Sequence, residues 1–368
     1  MSGPIPQVVI DLDALRHNLG VVRARAPGSR VMAVIKANGY GHGMRRVALA
    51  LGAADALAVA RVGEGAQLRD AGIAQRVVVL EGGFDAQDIA EAAGRGLDLV
   101  FHHEEQLALL AAARPVRPVR AWLKVDTGMH RLGFALEAAA PAHARLAALS
   151  HSGAPVGLMT HFASADDPAD PATQAQLDAF GPLARRLAVP VSISNSAGVL
   201  GFPQAHGDWV RPGLMLYGAS PFVGGRGVDL GLRPVMTLRS RLIAVNRYRR
   251  GERVGYGGTY CCPEDMPVGV VAVGYGDGYP RHAPSGTPVL VDGVRVPLIG
   301  RVSMDMISVD LRACPGARLG DPAVLWGEGL PVEEIAERAG TIPYQLTCAV
   351  TGRVAVVETG AASPGAAA

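Results

Sequence analysis

Between residues 31 and 217, short apolar runs alternate with longer segments of helical character. The runs are 31–35, 56–60, 77–80, 97–101, 119–125, 156–160, 191–194 and 210–217. Each is too short for a helix and rich in β-branched residues or Leu, the pattern of a buried strand. Helix-like stretches lie between most of them, at 64–71, 85–93, 104–113, 141–149 and 173–187. Several of these open with an acidic residue, Thr or Pro, as the first turn of a helix favours. Eight such runs with helices between them predict a (β/α)₈ barrel, with a doubly wound open sheet as the alternative. Residues 13–25 predict one more helix ahead of the first strand.

The texture changes near residue 232. The strand-like segments 238–245, 268–273, 288–291, 294–299, 306–309 and 323–326 follow, separated by turn residues such as Asp292-Gly293, a hairpin signal. Apart from 332–339, long helical patterns are mostly absent. The predicted organisation is therefore a barrel over 11–231 and a mainly β domain over 232–368, with a strand at 7–10 free to join either.

Composition narrows the function classes. The 368 residues are 49% apolar, ample for a large core, and the formal net charge is only +2. No long basic block is present, which argues against nucleic acid or a membrane surface as partner. No apolar run reaches membrane-spanning length. The start lacks a basic segment followed by a long apolar one, so no signal peptide is expected. Residues 361–368 are small and predict a frayed tail. The four cysteines form no metal pattern: Cys261 and Cys262 are adjacent, Cys314 and Cys348 isolated. A reducing, cytoplasmic compartment and no metal are the expectations.

The barrel reading predicts reactive side chains where strands end. Lys36 ends the first apolar run, just before Ala37-Asn38-Gly39-Tyr40-Gly41-His42-Gly43. A lysine there is either desolvated and nucleophilic, suited to a Schiff base with an aldehyde cofactor, or simply snorkels to the surface. Lys124 and Arg131 bracket Asp126 off the fifth run; they are candidate site cations or one structural ion network. His161 ends the sixth run and is a site residue or a core histidine. Ser196, in Asn195-Ser196-Ala197-Gly198, is a helix N-cap or part of a phosphate site, which barrels commonly build after strands 7 and 8. Arg211 opens the eighth run, an exception to the strand-end rule, and Arg211-Pro212-Gly213-Leu214 could add backbone N–H groups to that site. Tyr256 lies among glycines, in a turn. A tyrosine can act as an acid or base, but moving its pKa from about 10 to about 7 takes roughly 4 kcal/mol. Gly274-Tyr275-Gly276-Asp277-Gly278 mimics a phosphate loop, but no helix pattern follows, so a dinucleotide fold is rejected.

Taken together, these motifs resemble alanine racemase, a fold-type III pyridoxal phosphate enzyme, from Gln7 to about Val357. Val34-Ile35-Lys36-Ala37-Asn38-Gly39-Tyr40-Gly41-His42-Gly43 looks like that family's pyridoxal-lysine motif. Lys124-Val125-Asp126-Thr127-Gly128-Met129, His161-Phe162, Asn195-Ser196, Arg211-Pro212-Gly213, Gly255-Tyr256-Gly257 and Gly300-Arg301-Val302-Ser303-Met304-Asp305 follow in the family's order. The resemblance implies pyridoxal 5'-phosphate bound through Lys36, with Tyr40, Ser196, Gly213, Leu214 and Tyr344 around its phosphate. His161 and Arg211 would also serve the cofactor, Arg211 against the pyridine nitrogen. Arg131, Met304 and Asp305 would bind substrate. Tyr275 and Arg301 would line the channel leading to it, and Lys124 is a candidate for carbamylation.

The implied reaction interconverts L-alanine and D-alanine, with Lys36 and Tyr256 as the two bases. The implied assembly is a homodimer with shared active sites, in which Tyr256, Met304 and Asp305 come from the partner. Gly39 departs from the alanine common in the family and is expected to loosen the turn slightly. A single-barrel cofactor-binding protein would lack the β domain. A decarboxylase of the same fold type would place a carboxylate, not Arg211, at the pyridine nitrogen.

Overall fold

A computed structural model describes residues 5–360 except 116 and 151–153; the expected tail at 361–368 lies outside them. The described residues cluster into two compact units. One comprises 16–216 and 221–223, the other 5–15, 217–220 and 224–360.

The first unit is the barrel. Strands Arg30–Val34, Ala56–Val59, Val77–Val79, Asp98–Phe101, Ala121–Lys124, Gly157–Met159, Val191–Ser192 and Trp209–Val210 are all parallel and close on themselves, the last pairing the first through Arg30↔Trp209 and Val31↔Val210. This excludes the open sheet. Most strand residues are fully buried because each strand has the barrel interior on one side and helices on the other. Helices return the chain between strands. Ala86–Arg95 is typical: Asp85 accepts the Asp88 N–H at 2.8 Å at its start, and Gly96, at φ 64°, ends it.

The eighth strand is shorter than expected. Pro212 donates no backbone hydrogen bond and the chain turns into the 3₁₀ segment Leu214–Tyr217, so 210–217 does not continue as a strand. Arg211 consequently follows the strand's end rather than opening it, and obeys the strand-end rule after all.

The second unit holds an eight-stranded sheet, ordered Met266–Val271, Ile307–Asp310, Val294–Ile299, Pro288–Val291, Pro322–Trp326, Met236–Tyr248, Gln7–Asp11, Ala355–Thr359. Met236–Tyr248 is long enough to pair twice. Its first half meets Pro322–Trp326, and its second half meets Met266–Val271. The N-terminal strand belongs to this sheet, antiparallel to Met236–Tyr248 and parallel to Ala355–Thr359. A second helix beyond the expected one, Pro343–Ala349, follows Val332–Arg338.

Candidate active site

Lys36 sits two residues beyond its strand, at the start of a turn held in an unusual conformation. Ala37, Asn38, Gly39 and Tyr40 all have positive φ, between 52° and 64°. Left-handed backbone disfavours side-chain-bearing residues by roughly 1 kcal/mol each, so outside bonds must hold it. Glu64 accepts the Ala37 N–H at 2.8 Å and the Ala60 N–H at 2.7 Å. Asn38 Oδ1 accepts the Met44 N–H at 2.9 Å, and buried His42 bonds the carbonyls of Gly39 and Tyr40 through Nδ1 at 3.0 and 2.9 Å. Burial draws His42 down to about 4, so it is neutral and Nδ1 carries the proton. In this setting Gly39 does not loosen the turn: at φ 64° it is the residue the turn favours, and a Cβ there would come within 3.0 Å of Val47.

The amine of Lys36 makes no hydrogen bond or ion pair with the described residues. Burial lowers its pKa, Arg131 and Arg211 lower it further, and Glu81 and Glu64 oppose them. The side chain is thus partly withdrawn from water rather than fully exposed. Lys124, at the end of its own strand, is drawn down to about 8 by burial and by Arg211, Arg131 and Lys36. Asp126 does not join Lys124 to Arg131. Its carboxylate accepts the N–H groups of Gly128, Met129 and His130 at 2.9 to 3.1 Å and faces the His130 ring at 3.2 Å. Arg131 is exposed on that loop. Gly133, at φ 137°, lets the loop return so that the Phe134 N–H reaches the Lys124 carbonyl at 2.9 Å.

Arg211 is 4% exposed, and among the described residues no carboxylate contacts its guanidinium. Nη1 donates to Ser192 Oγ at 2.8 Å; Nη2 donates to the Thr160 carbonyl at 2.7 Å and meets His161 Nδ1 at 3.2 Å. Burial draws Arg211 down to about 10, which leaves it a cation at neutral pH. Burial and then Arg211 hold His161 well below its ordinary range, so the imidazole is neutral and Nδ1 accepts from the guanidinium. Gln176 fixes this strand end, donating to the His161 carbonyl at 2.9 Å and to Thr127 Oγ1 at 3.1 Å.

Ser196 is not a helix cap. Asn195 is, accepting the Gly198 N–H at 2.9 Å. Ser196 Oγ instead accepts the Gly213 and Met215 N–H groups at 2.9 and 3.2 Å, leaving its own proton to donate. A Cβ on Gly213 would lie 2.5 Å from the Tyr40 hydroxyl oxygen, so that hydroxyl sits directly on the Gly213 backbone. Leu214 is buried beside them.

The second unit gathers the other predicted residues. The Tyr256–Gly258 turn lies against Arg301, whose Nη1 would be 3.0 Å from a Cβ on Gly257. The Tyr275 N–H donates to the Ser303 carbonyl at 3.0 Å and the Gly276 N–H to the Met304 carbonyl at 2.8 Å. Arg353 ties Asp305, at 2.7 Å, to buried Asp277, at 3.3 Å. Tyr256 is 65% exposed and Met304 52%. Tyr344 lies on Pro343–Ala349. The sequence reading passed over Glu64, Gln176 and Arg353, which hold the site residues in place. Glu64 alone carried a signal, as an acidic residue in a first helical turn.

Family models for the alanine racemase N-terminal and C-terminal domains match residues 10–221 and 235–358. The chain belongs to the alanine racemase family. Among its curated relatives is the alanine racemase of Nitrosococcus oceani, 56% identical over 95% of this chain and 98% of that protein. The biosynthetic alanine racemase of Pseudomonas aeruginosa, a crystal structure, superposes with a TM-score of 0.93 at 46% identity, covering 96% of this chain and 99% of that one. An alanine racemase from Bartonella henselae, solved with covalently bound pyridoxal phosphate, shares the fold with a TM-score of 0.86 at 24% identity, covering 97% and 100% of the two chains.

Proposed function

We propose that this protein interconverts L-alanine and D-alanine using pyridoxal 5'-phosphate. One observation carries the reading beyond family membership: an amine of lowered pKa, Lys36, stands at the strand ends of a barrel among Lys124, Arg131 and the buried cation Arg211. The donor set fits the cofactor. The free proton of Ser196 Oγ, the backbone cradle at Gly213 and the Tyr40 hydroxyl beside it suit a phosphate. A cluster with several cations and few carboxylates suits a polyanion.

Lys36 would hold the cofactor covalently; Tyr40, Ser196, Gly213, Leu214 and Tyr344 would hold its phosphate, and His161 and Arg211 its ring. Bound there, the cofactor supplies an electron sink that acidifies the α-hydrogen of an amino acid attached through its amine. Arg211 keeps its proton and so passes none to the ring nitrogen, which limits how far charge is drawn away and disfavours side reactions. Lys36 Nζ moves the α-proton on one face, the face serving D-alanine. Tyr256 Oη of the partner subunit moves it on the other, serving L-alanine. Arg131 pairs with the substrate carboxylate. Met304 and Asp305 of the partner subunit restrict the pocket to small side chains, and Tyr275 and Arg301 line the way in.

On this reading residues 11–231 bind the cofactor, residues 232–368 complete the neighbouring site of a homodimer, and the enzyme works in the cytoplasm. No described helix is long and apolar enough to cross a membrane. D-Alanine would be made for peptidoglycan or degraded.

Lys36→Ala should abolish racemisation, followed by circular dichroism, together with the visible absorbance of the bound cofactor. Tyr256→Phe should keep that absorbance and lose α-hydrogen exchange from L-alanine far more than from D-alanine. Equal exchange from both enantiomers would contradict the face assignment.

A further inference from the structure

The barrel's other end holds a cationic cavity that the proposed racemase chemistry does not use. It has a volume of about 330 Å³ and lies at the N-terminal ends of the strands. Arg30, Trp209 and Gly157 begin strands, Arg76, Arg120 and Pro190 directly precede them, and Trp122 is the second residue of its own. Lys36, Lys124 and Arg211 stand at the opposite, C-terminal ends.

Two indoles form its wall, edge to face at 89° with centroids 6.1 Å apart. Gly157 makes the room for one of them, since a Cβ there would fall 2.4 Å from the Trp122 ring. The indole N–H of Trp122 is buried with no partner among the described residues. Guanidiniums crowd the same surface. Arg30 lies 4.4 Å from the centre of the Trp209 ring and Arg76 lies 5.0 Å from it, so two like charges share one indole. Arg76 is neutralised by buried Asp98, its Nε donating at 2.7 Å. Arg30 and Arg120 have no ion pair or side-chain hydrogen bond with the described residues. A barrel base usually serves stability alone. Packing explains the tryptophans and the Arg76–Asp98 pair. Arg30 stacks on Trp209 and Asp98 draws on Arg120 as well, but one carboxylate leaves the three guanidiniums of the lining with an excess of positive charge on a concave surface.

We propose that this cavity binds a small multivalent organic anion, a phosphate ester or a polycarboxylate, with Arg30 and Arg120 as its main charge partners. The volume suits a compact metabolite, and guanidiniums match carboxylate and phosphate oxygens in pairs. Cations held on aromatic faces keep their N–H edges available at the ring's rim.

The test is isothermal titration calorimetry of the cofactor-loaded enzyme with pyrophosphate and, separately, citrate, at matched ionic strength against sodium chloride. Loading the cofactor first occupies the phosphate site at the other end. One saturable site per chain with a Kd below about 1 mM is expected for at least one probe. The probe that binds more tightly distinguishes a phosphate from a carboxylate ligand. Arg30→Gln and Arg120→Gln should each weaken binding by about tenfold, while racemase activity without added probe stays unchanged. Both side chains are exposed, so folding should survive, and an unchanged melting midpoint without probe checks this. The midpoint should rise with probe concentration in the natural protein and not in the double variant. Absence of saturable heat with both probes, or equal binding in the double variant, would overturn the proposal.

Discussion

At the scale of the residue, Lys124 shows how the site trades stability for charge. It is a cation brought near Arg211, Arg131 and Lys36, and its pKa falls to about 8 from an ordinary 10.5. The sign follows from proton linkage. Between about pH 8 and 10.5 the unfolded chain binds a proton that the folded chain has released, so stability rises with pH across that window. Below it, folding carries the full penalty of a desolvated charge. The drop corresponds to at most about 3–4 kcal/mol, and solvent at the partly exposed side chain reduces that to about 2 kcal/mol. Lys124→Met keeps the stem and removes the charge. In carbonate-free buffer and without cofactor, its melting midpoint at pH 7 should lie a few degrees above that of the natural protein. The gain should shrink as pH rises toward 10.5. A gain independent of pH would mean that packing, not charge, is responsible. The same lowered pKa makes the amine nucleophilic toward carbon dioxide. Native mass spectrometry in bicarbonate should therefore detect a carbamate on Lys124 that is absent from Lys124→Met.

At the scale of the element, two turns carry the site, and both depend on backbone that few residues adopt. The Lys36–Tyr40 turn is left-handed from Ala37 onward, and the loop carrying Arg131 closes only because Gly133 sits at φ 137°. A Cβ at Gly133 would lie 2.4 Å from the Asp126 backbone nitrogen, with no flexible side chain to yield. Gly133→Ala should therefore force the 126–134 loop apart, and Gly39→Ala should cost only about 1 kcal/mol. Thermal melts should rank them in that order, with the larger loss of substrate affinity in Gly133→Ala, because Arg131 rides on that loop. These turns also mark where sequence reading stopped. Eight parallel strands buried on both faces were legible as uninterrupted apolar runs, and the β domain as hairpins. The left-handed turn was not legible, because three of its four positive-φ residues are not glycine. Glu64, which bonds Ala37, comes from a helix beyond the next strand. Helix Pro343–Ala349 was missed for its shortness, though Tyr344 on it was named through the family resemblance; Pro343 at its first position was a signal. Arg211 was placed at the wrong end of its strand because apolar residues continue past the Pro212-Gly213 break.

At the scale of the whole molecule, the proposed bases lie in different units: Lys36 on a barrel turn, Tyr256 on an exposed turn of the sheet-containing unit. An exposed tyrosine and an exposed methionine, Met304, in the same unit are an expensive arrangement for a surface that meets only water, and a suitable one for a surface that completes a neighbour's site. If each site takes its Lys36 from one subunit and its Tyr256 from the other, complementation follows from symmetry. Lys36→Ala and Tyr256→Phe homodimers each lack one base in both sites. A mixed dimer has one site lacking both bases and one site with both intact. Subunit exchange at equal amounts makes half the dimers mixed, so racemase activity should recover to about a quarter of the natural level, a ceiling set by twofold symmetry. Size-exclusion chromatography gives the assembly state, and the time course of recovery gives the exchange rate. Activity that stays at the sum of the two separate variants after complete exchange would place both bases in one subunit.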